Sequence, residues 1–133
     1  MHVVDTNIVA YLLIAGDRTE QAQALWQADR DWRSDAFLRV EFSNLMATQL
    51  RAKALTLAEA VSLLDSAALT LQATVEVSHA DALRTAAAFG VSAYDARFLA
   101  AAKALGAKLV TEDVRLRKAA PALTQSLAEA LAG

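Results

Sequence analysis

Hydrophobic positions along this chain follow two spacings, one typical of strands and one typical of helices. Short apolar or β-branched runs at 2–4, near 32–33, at 74–77 and at 108–110 predict four strands. Between these runs, apolar residues recur every three or four positions, as on the buried side of a helix. Strands that alternate with helices favour parallel pairing, because a parallel crossover needs a connection of helical length. We therefore expect an α/β sandwich.

Polar capping residues predict where the helices begin. A Ser, Thr or Asp followed three positions later by an acid is typical of a helix N-terminus, and this spacing occurs at 17 and 20, 56 and 59, 78 and 81, 92 and 95, and 126 and 129. Further helices are expected to open at Asp5, at Ser34 or Asp35, and over 113–119. Gly90 and Gly106 predict two helix ends, and Pro121 predicts a break.

Composition narrows the class of protein. With 133 residues, 56% of them apolar, the chain is expected to form a single domain spanning 1–133. It has no cysteine, which excludes disulfides and thiolate metal sites. We expect no signal peptide, because Asp5 interrupts the apolar opening, and no membrane-spanning helix. We therefore expect a cytoplasmic protein. The net charge of −2 argues against a general nucleic-acid coat protein.

Four acidic residues occupy positions where a chain normally buries apolar side chains. Asp5 and Asp113 follow strands, whereas Glu41 and Asp95 lie early on the apolar sides of two predicted helices. In parallel sheets, ligands gather beyond the carboxyl ends of the strands, so one pocket there would collect all four. A shared divalent cation is the simplest compensation for their lost hydration, because hard cations take carboxylate oxygens as ligands.

Three of the four acids also have a purely structural interpretation. Asp5 and Asp113 are suited to be N-caps, and Asp95 is placed to bond back to Ser92 in a capping box. Glu41 has no such role, because helical spacing stacks it between Leu38 and Leu45 beside the core. Spacing alone leaves both interpretations open for the other three.

Four segments, taken in order, resemble the motifs of PIN-domain proteins. They are residues 3–9 (VVDTNIV), 40–45 (VEFSNL), 93–96 (AYDA) and 109–113 (LVTED). Their order and spacing, with the chain length, resemble the VapC-type toxins of bacterial toxin–antitoxin pairs. The resemblance implies a three-layer α/β/α sandwich with a short parallel sheet, whose last edge strand is expected to be very short here.

The same resemblance implies a Mg²⁺- or Mn²⁺-dependent endoribonuclease. Its catalytic and metal-binding acids would be Asp5, Glu41, Asp95 and Asp113, with supporting polar groups at Thr6, Asn7 and Thr111. One departure from the family pattern is Glu112, an extra carboxylate that we expect to face solvent.

The residue types agree with phosphodiester hydrolysis by water. No Ser–His pair forms a nucleophile system, and His2 and His79 are expected to be structural or solvated. A bound metal would acidify the attacking water and neutralise phosphate charge. We expect Asp5 and Asp95 to be direct ligands, with Glu41 and Asp113 holding metal-bound waters, a second metal or the attacking water.

Attraction for RNA must come from cations near the acids. The candidates are Arg97, Arg115, Arg117 and Lys118, for which an ordinary solvated face is the alternative. Four aromatic residues are candidates for base stacking, although aromatic side chains at helical spacing usually belong to the core: Trp26, Trp32, Phe37 and Phe42.

Protein partners are expected on two helices that carry many apolar residues. These are Leu45, Met46, Leu50, Leu55, Leu57, Val61, Leu63, Leu64, Leu69 and Leu71. We predict a homodimer and a groove for an apolar segment of a cognate antitoxin, with about half of this set in the core. By family resemblance, that segment would extend a basic side chain into the acidic pocket.

Two other functions remain open from the sequence. A catalytically inactive PIN-like module would bind RNA or protein, but the four intact acids argue against it. A receiver-like domain would be phosphorylated on Asp5, a reading that leaves Glu41 and Asp95 unexplained.

Overall fold

The computed structural model describes residues 1–133 and contains five strands and eight helices. The strands are β1 (His2–Val4), β2 (Trp32–Asp35), β3 (Leu71–Val75), β4 (Leu109–Val110) and β5 (Thr124–Gln125). The helices are α1 (Thr6–Leu13), α2 (Thr19–Ala28), α3 (Phe37–Arg51), α4 (Leu57–Thr70), α5 (His79–Phe89), α6 (Ala93–Ala104), α7 (Val114–Ala119) and α8 (Leu127–Ala132). No helix has the length and apolar character needed to cross a bilayer.

All four strand pairings are parallel, in the order β3-β2-β1-β4-β5. The chain builds outward from β1 to β2 and β3, then returns to the other side of β1 with β4 and β5. The point where the direction reverses therefore lies between β1 and β4. In open parallel sheets, the crevice at such a point, beyond the carboxyl ends of the strands, is the usual ligand site.

Helices cover both faces of this sheet and form the expected three-layer α/β/α sandwich. Helix α6 packs on β1, β2 and β4, and α5 packs on α6. On the other side, α1 packs with α2, α3 and α4. The strands β1 and β4 are completely buried at Val3, Val4, Leu109 and Val110, as expected for a parallel sheet covered on both faces.

Most predicted helix ends are confirmed. Capping boxes form at Thr56 with Glu59 and at Ser126 with Glu129, and Ser78 and Ser92 cap α5 and α6. Gly90 ends α5 in the left-handed conformation (φ 67°), and Gly106 has φ 68° just after α6. Glycine adopts this conformation without the steric cost of a Cβ.

Two predicted helix starts were wrong. Helix α2 begins at Thr19 without the Asp17–Glu20 capping box, because the Thr19 hydroxyl accepts from Gly16 N and donates to Ile14 O in the preceding turn. Ser34 and Asp35 belong to β2, which is longer than predicted. Ser34 donates to the carbonyl of Val4, and Asp35 accepts the N–H of Phe37 at the start of α3.

The strand predicted at 74–77 lies earlier, at Leu71–Val75. Helix α4 passes directly into β3, and a bulge beside Trp32 fits the two strands together. The N–H of Val77 then donates to the buried carboxylate of Asp35 and not to the backbone of a neighbouring strand, so β3 ends before it. The short edge strand expected from the family is present as β5, which has two residues.

Candidate active site

The four acids predicted from the sequence line one open cavity of about 560 Å³ at the carboxyl edge of the sheet. They reach it from four different elements, since Asp5 and Asp113 follow β1 and β4, and Glu41 and Asp95 lie on α3 and α6. The rest of the wall consists of Thr6, Asn7, Phe37, Val40, Asn44, Leu45, Thr48, Tyr94 and Phe98. Asn44 and Thr48 form a polar flank of α3 along this cavity.

Asp5 is the most buried of the four acids, with 8% of its surface exposed. It caps α1, its Oδ1 accepting the N–H of Ile8 at 3.3 Å. Its Oδ2 accepts from the hydroxyl of Thr111, which is completely buried. The capping role considered for Asp5 is thus present, and it occupies only one of the two carboxylate oxygens.

Thr111 also fixes the second strand-end acid. Its Oγ1 accepts the N–H of Asp113 at 3.1 Å while donating to Asp5. Asp113 in turn caps α7, its Oδ1 accepting from the N–H groups of Arg115 and Leu116. The second oxygen of Asp113 has no hydrogen-bond partner within the protein, so it is free to face the cavity.

Glu41 is half-buried on α3 and is held by a residue of α1. The hydroxyl of Thr6 donates to its Oε1 at 2.6 Å. Its Oε2 has no partner within the protein. The hydroxyls of Thr6 and Thr111 therefore orient Glu41 and Asp5, and Glu41 keeps one oxygen available.

Asp95 does not use its side chain for capping. Its N–H donates to Ser92 Oγ at 3.0 Å, but the reciprocal bond that Glu59 and Glu129 make in their capping boxes is absent. The one protein hydrogen-bonding group that acts on the Asp95 carboxylate is the Ser92 hydroxyl. The structural interpretation of this acid is therefore not realised.

The electrostatics of the cavity disfavour four simultaneous negative charges. Burial, opposed by the hydrogen bonds from Thr111 and Ile8 and aided by the charges of Glu41 and Asp113, raises the pKa of Asp5 to about 7. Burial likewise raises the pKa of Glu41, and the negative charge of Asp95 raises it further. Burial and the charge of Asp113 raise the pKa of Asp95. None of the four forms a salt bridge.

The donor set of the cavity suits a hard divalent cation. Its charged side chains are all carboxylates, and oxygen ligands are those that Mg²⁺ and Mn²⁺ take. In this arrangement, however, no three acidic or histidine side chains lie close enough together to hold an ion. Unpaired like charges repel one another, so binding would require these side chains to converge.

The other predicted site residues divide into two groups. Thr6 and Asn7 line the cavity, and Thr111 lies behind Asp5. Arg97 and Arg115 do not line it. Arg115 is exposed and lowers the pKa of Asp95 by its charge, whereas Arg97 donates to the carbonyl of Val77 at 2.8 Å and to His79 Nδ1 at 2.7 Å.

The expectation that Glu112 faces solvent was wrong. Its side chain is 10% exposed, pairs with Arg18 in the turn before α2, and accepts the N–H of Leu127 at the start of α8 at 3.2 Å. This carboxylate joins three distant parts of the chain next to Asp113. Local sequence patterns around Glu112 could not predict these partners, because Arg18 and Leu127 lie 94 and 15 residues away from it.

Sequence reasoning missed Tyr94 as a wall of the cavity. The residue is 61% exposed, and its ring stacks on Phe37 with ring centroids 5.4 Å apart and planes 9° from parallel. Of the four aromatic residues considered for stacking, Trp32 and Phe42 are completely buried in the core and Trp26 packs edge-on against Trp32. Only Phe37 reaches the cavity, and the available signal was the position of Tyr94 beside Asp95.

Comparison with known proteins identifies the fold and the family motif. Residues 2–121 match the PIN domain. The chain is also similar to the crystal structure of PAE2754 from Pyrobaculum aerophilum, with a TM-score of 0.79, 18% sequence identity, and coverage of 98% of this chain and 92% of that one. No curated protein matches significantly. At this identity the structural match supports the fold alone.

Proposed function

This chain belongs to the PIN-domain family, and from that premise we propose that it is a Mg²⁺- or Mn²⁺-dependent endoribonuclease. PIN domains are generally nucleases. The observation that carries the proposal is the convergence of Asp5, Glu41, Asp95 and Asp113 on one cavity without a cationic side chain paired to any of them. Structural acids would be expected to find such partners or full hydrogen bonding.

A divalent cation would provide the missing compensation. Asp5 and Asp95 are our choice of direct ligands, and Glu41 and Asp113 complete the set from the other two elements. When bound, the ion supplies positive charge to the scissile phosphate and lowers the pKa of water in the site. Metal and protons compete for the carboxylates, so the raised pKa of Asp5 makes binding stronger as pH rises.

The protein's own groups orient the reaction. Thr111 bonds to both Asp5 and Asp113, and Thr6 bonds to Glu41. These acids line the cavity, and Glu41 and Asp113 each keep one free oxygen. A water oxygen attacks phosphorus as the phosphorus–oxygen bond to the leaving nucleotide breaks. One of these two free carboxylate oxygens accepts the proton of the water.

RNA would reach the acids through nearby positive charge. Arg115 lies at the start of α7, directly after Asp113, and its charge already acts on Asp95. We propose that Arg115 contacts a backbone phosphate beside the cut and that Asn7, exposed in the cavity, hydrogen-bonds the substrate. Arg97 is proposed as a weaker contact, since its guanidinium is already bonded to Val77 and His79.

The biological role we propose is that of a VapC-type toxin acting on cellular RNA in the cytoplasm. Its antitoxin would seat an apolar segment along α3 and α4, where Leu57, Val61 and Leu69 are 68%, 48% and 84% exposed. We also propose that the chain forms a homodimer. Of the ten apolar residues predicted for this surface, these three are exposed, Met46 and Leu71 are buried, and the remaining five are half-buried.

The test compares two acids at equivalent helix positions. Purified protein is incubated with a labelled single-stranded RNA and Mg²⁺ or Mn²⁺, with and without excess chelator. Asp95→Asn should abolish cleavage. Asp81→Asn is the matched control, because Asp81 follows Ser78 as Asp95 follows Ser92 but lies outside the cavity, and it should cleave normally.

Two results would contradict the proposal. Cleavage that persists in excess chelator would exclude the metal mechanism. Binding of RNA without any cleavage by the wild type would favour the catalytically inactive module. Labelling of Asp5 by a small phosphodonor would support the receiver-like alternative.

A further inference from the structure

An aromatic stack forms one wall of the cavity and ends in an exposed ring. Tyr94 lies directly before Asp95 at the start of α6, and Phe37 is the first residue of α3. Their rings are parallel within 9°, with centroids 5.4 Å apart. One face of Tyr94 is therefore covered by Phe37, yet 61% of the residue stays exposed, and it lines the same cavity as the four carboxylates.

Arg97 makes a cation–aromatic contact with the Phe37 ring of this stack. Its guanidinium carbon lies 5.8 Å from the centre of the Phe37 ring, and its two terminal nitrogens are bonded to Val77 O and His79 Nδ1. A guanidinium only donates hydrogen bonds, so both contacts are donated by the arginine. Cation–aromatic and aromatic–aromatic contacts thus follow one another from Arg97 through Phe37 to Tyr94.

Such an arrangement has the properties of a stacking platform. The Tyr94 ring is already held by its contact with Phe37 before any ligand arrives, so its side chain loses little conformational freedom on binding. Exposed large apolar side chains scattered singly need no explanation, but an exposed ring held flat beside a hydrolytic site is different. Nucleobases stack on such rings whatever their identity, because every base has a π face.

We propose that the open face of Tyr94 binds an unpaired nucleobase adjacent to the phosphate that is cut. This inference rests on the proposed ribonuclease function and adds to it a residue that positions an unstacked base at the cleavage site. Bases in an RNA duplex are stacked on their neighbours and cannot cover the ring without first being flipped out. Tyr94 is thereby a positioning residue, while the carboxylates carry the chemistry.

The inference also assigns a role to Arg97 that differs from phosphate contact. With its terminal donors bonded to Val77 and His79, the arginine supports Phe37 through the cation–aromatic contact. Part of its contribution to RNA binding would then pass through the stack, in addition to the weaker phosphate contact.

The experiment measures stacking separately from cleavage. A short single-stranded RNA carrying 2-aminopurine, whose fluorescence falls when it stacks, is titrated with full-length protein in Ca²⁺ and then cleaved in Mg²⁺. Tyr94→Leu should weaken binding by about tenfold or more and abolish the fluorescence loss. Tyr94→Phe keeps the aromatic face, so its RNA binding and its fluorescence loss should match those of the wild type. In Tyr94→Leu, KM should change more than kcat.

Leu83→Ala is the matched control for loss of an exposed apolar side chain. Leu83 is 65% exposed on α5 and does not line the cavity, so binding and cleavage should equal those of the wild type. A fully paired duplex RNA should bind Tyr94→Leu and wild type alike.

The outcomes separate this inference from the proposed function. If the wild type cleaves RNA and Tyr94→Leu binds and quenches as the wild type does, the platform is excluded and the ribonuclease stands. If the wild type binds and quenches but does not cleave, the platform stands and the enzyme is excluded. If the wild type does not bind single-stranded RNA, both are excluded.

Discussion

The hydroxyl of Thr111 donates a hydrogen bond to Oδ2 of Asp5 across a sequence separation of 106 residues. Both groups are buried where β1 and β4 end side by side. The same hydroxyl accepts the N–H of Asp113, so one side chain positions two of the four acids. This contact is the closest link between the fold and the candidate chemistry, because the parallel pairing of the two strands creates it.

Removing the Thr111 hydroxyl should therefore affect both acids. Thr111→Val keeps the shape but leaves the Asp113 N–H without its acceptor and Oδ2 of Asp5 without its donor, which costs about 1–3 kcal/mol of stability. The pKa of Asp5 should rise further, so the pH profile of cleavage should shift to higher pH. Thr111→Ser keeps the hydroxyl and is the control; equal losses in both variants would contradict the bridging role. Urea denaturation and pH–rate profiles provide the measurements.

Neutralising Asp95 should separate stability from activity. Asp95→Asn removes a half-buried charge that is repelled by Asp113 and does not complete a capping box with Ser92. We expect its melting temperature to equal or exceed that of the wild type in chelator, while cleavage is abolished. Ser92→Ala removes the actual cap of α6 and should cost about 0.5–2 kcal/mol. A comparable loss in Asp95→Asn would indicate a structural role instead.

The stability of the metal-free protein should fall as pH rises. Asp5 has a folded pKa of about 7, raised above its unfolded value of 3.8 mainly by burial. The folded state therefore binds the proton more tightly, so this contribution is complete below the unfolded pKa and is lost as pH rises through 7. The shift corresponds to on the order of 4 kcal/mol.

Asp5→Asn cannot ionise and should lack this part of the pH dependence. Thermal melts of wild type and variant from pH 4 to 8, both in chelator, test the expectation. The difference in melting temperature should move in favour of the variant as pH increases. Parallel curves for the two proteins would show that Asp5 ionises without cost in the folded state.

The apolar surface of α4 should mediate association. Leu57→Glu places a charge on a residue that is 68% exposed at the start of α4. We expect it to weaken homodimer formation or antitoxin binding without changing RNA cleavage. Leu83→Glu, on a leucine that is 65% exposed on α5, is the matched control and should leave association unchanged. Light scattering on the isolated proteins reports the oligomeric state, and a wild-type monomer at high micromolar concentration would contradict the homodimer.

Local signals predicted the elements whose boundaries depend on local hydrogen bonds. Ser92 and Thr56 were identified as caps because a capping residue and its partner lie within one helical turn. The prediction failed where a local capping motif competed with a distant partner. Asp35 had the spacing of a cap, but its carboxylate also accepts the N–H of Val77, 42 residues away, and so it belongs to the end of a strand.

The sequence by itself determined which acids would be placed together. Parallel strands put their carboxyl ends at one edge, so Asp5 and Asp113 had to share it once the alternation of strands and helices was recognised. The apolar surroundings of Glu41 and Asp95 likewise indicated burial. These conclusions depend on periodicity and order, which are properties of the chain alone.

Only the tertiary structure decided which oxygens are free and what surrounds them. The bonds from Thr6 to Glu41 and from Thr111 to Asp5, the burial of Glu112 beside Arg18, and the Phe37–Tyr94 stack each join residues far apart in sequence. Such contacts depend on the register and packing of whole elements, which no local pattern encodes. Desolvation, which raises the pKa of Asp5, also arises only when the sheet and helices close around it.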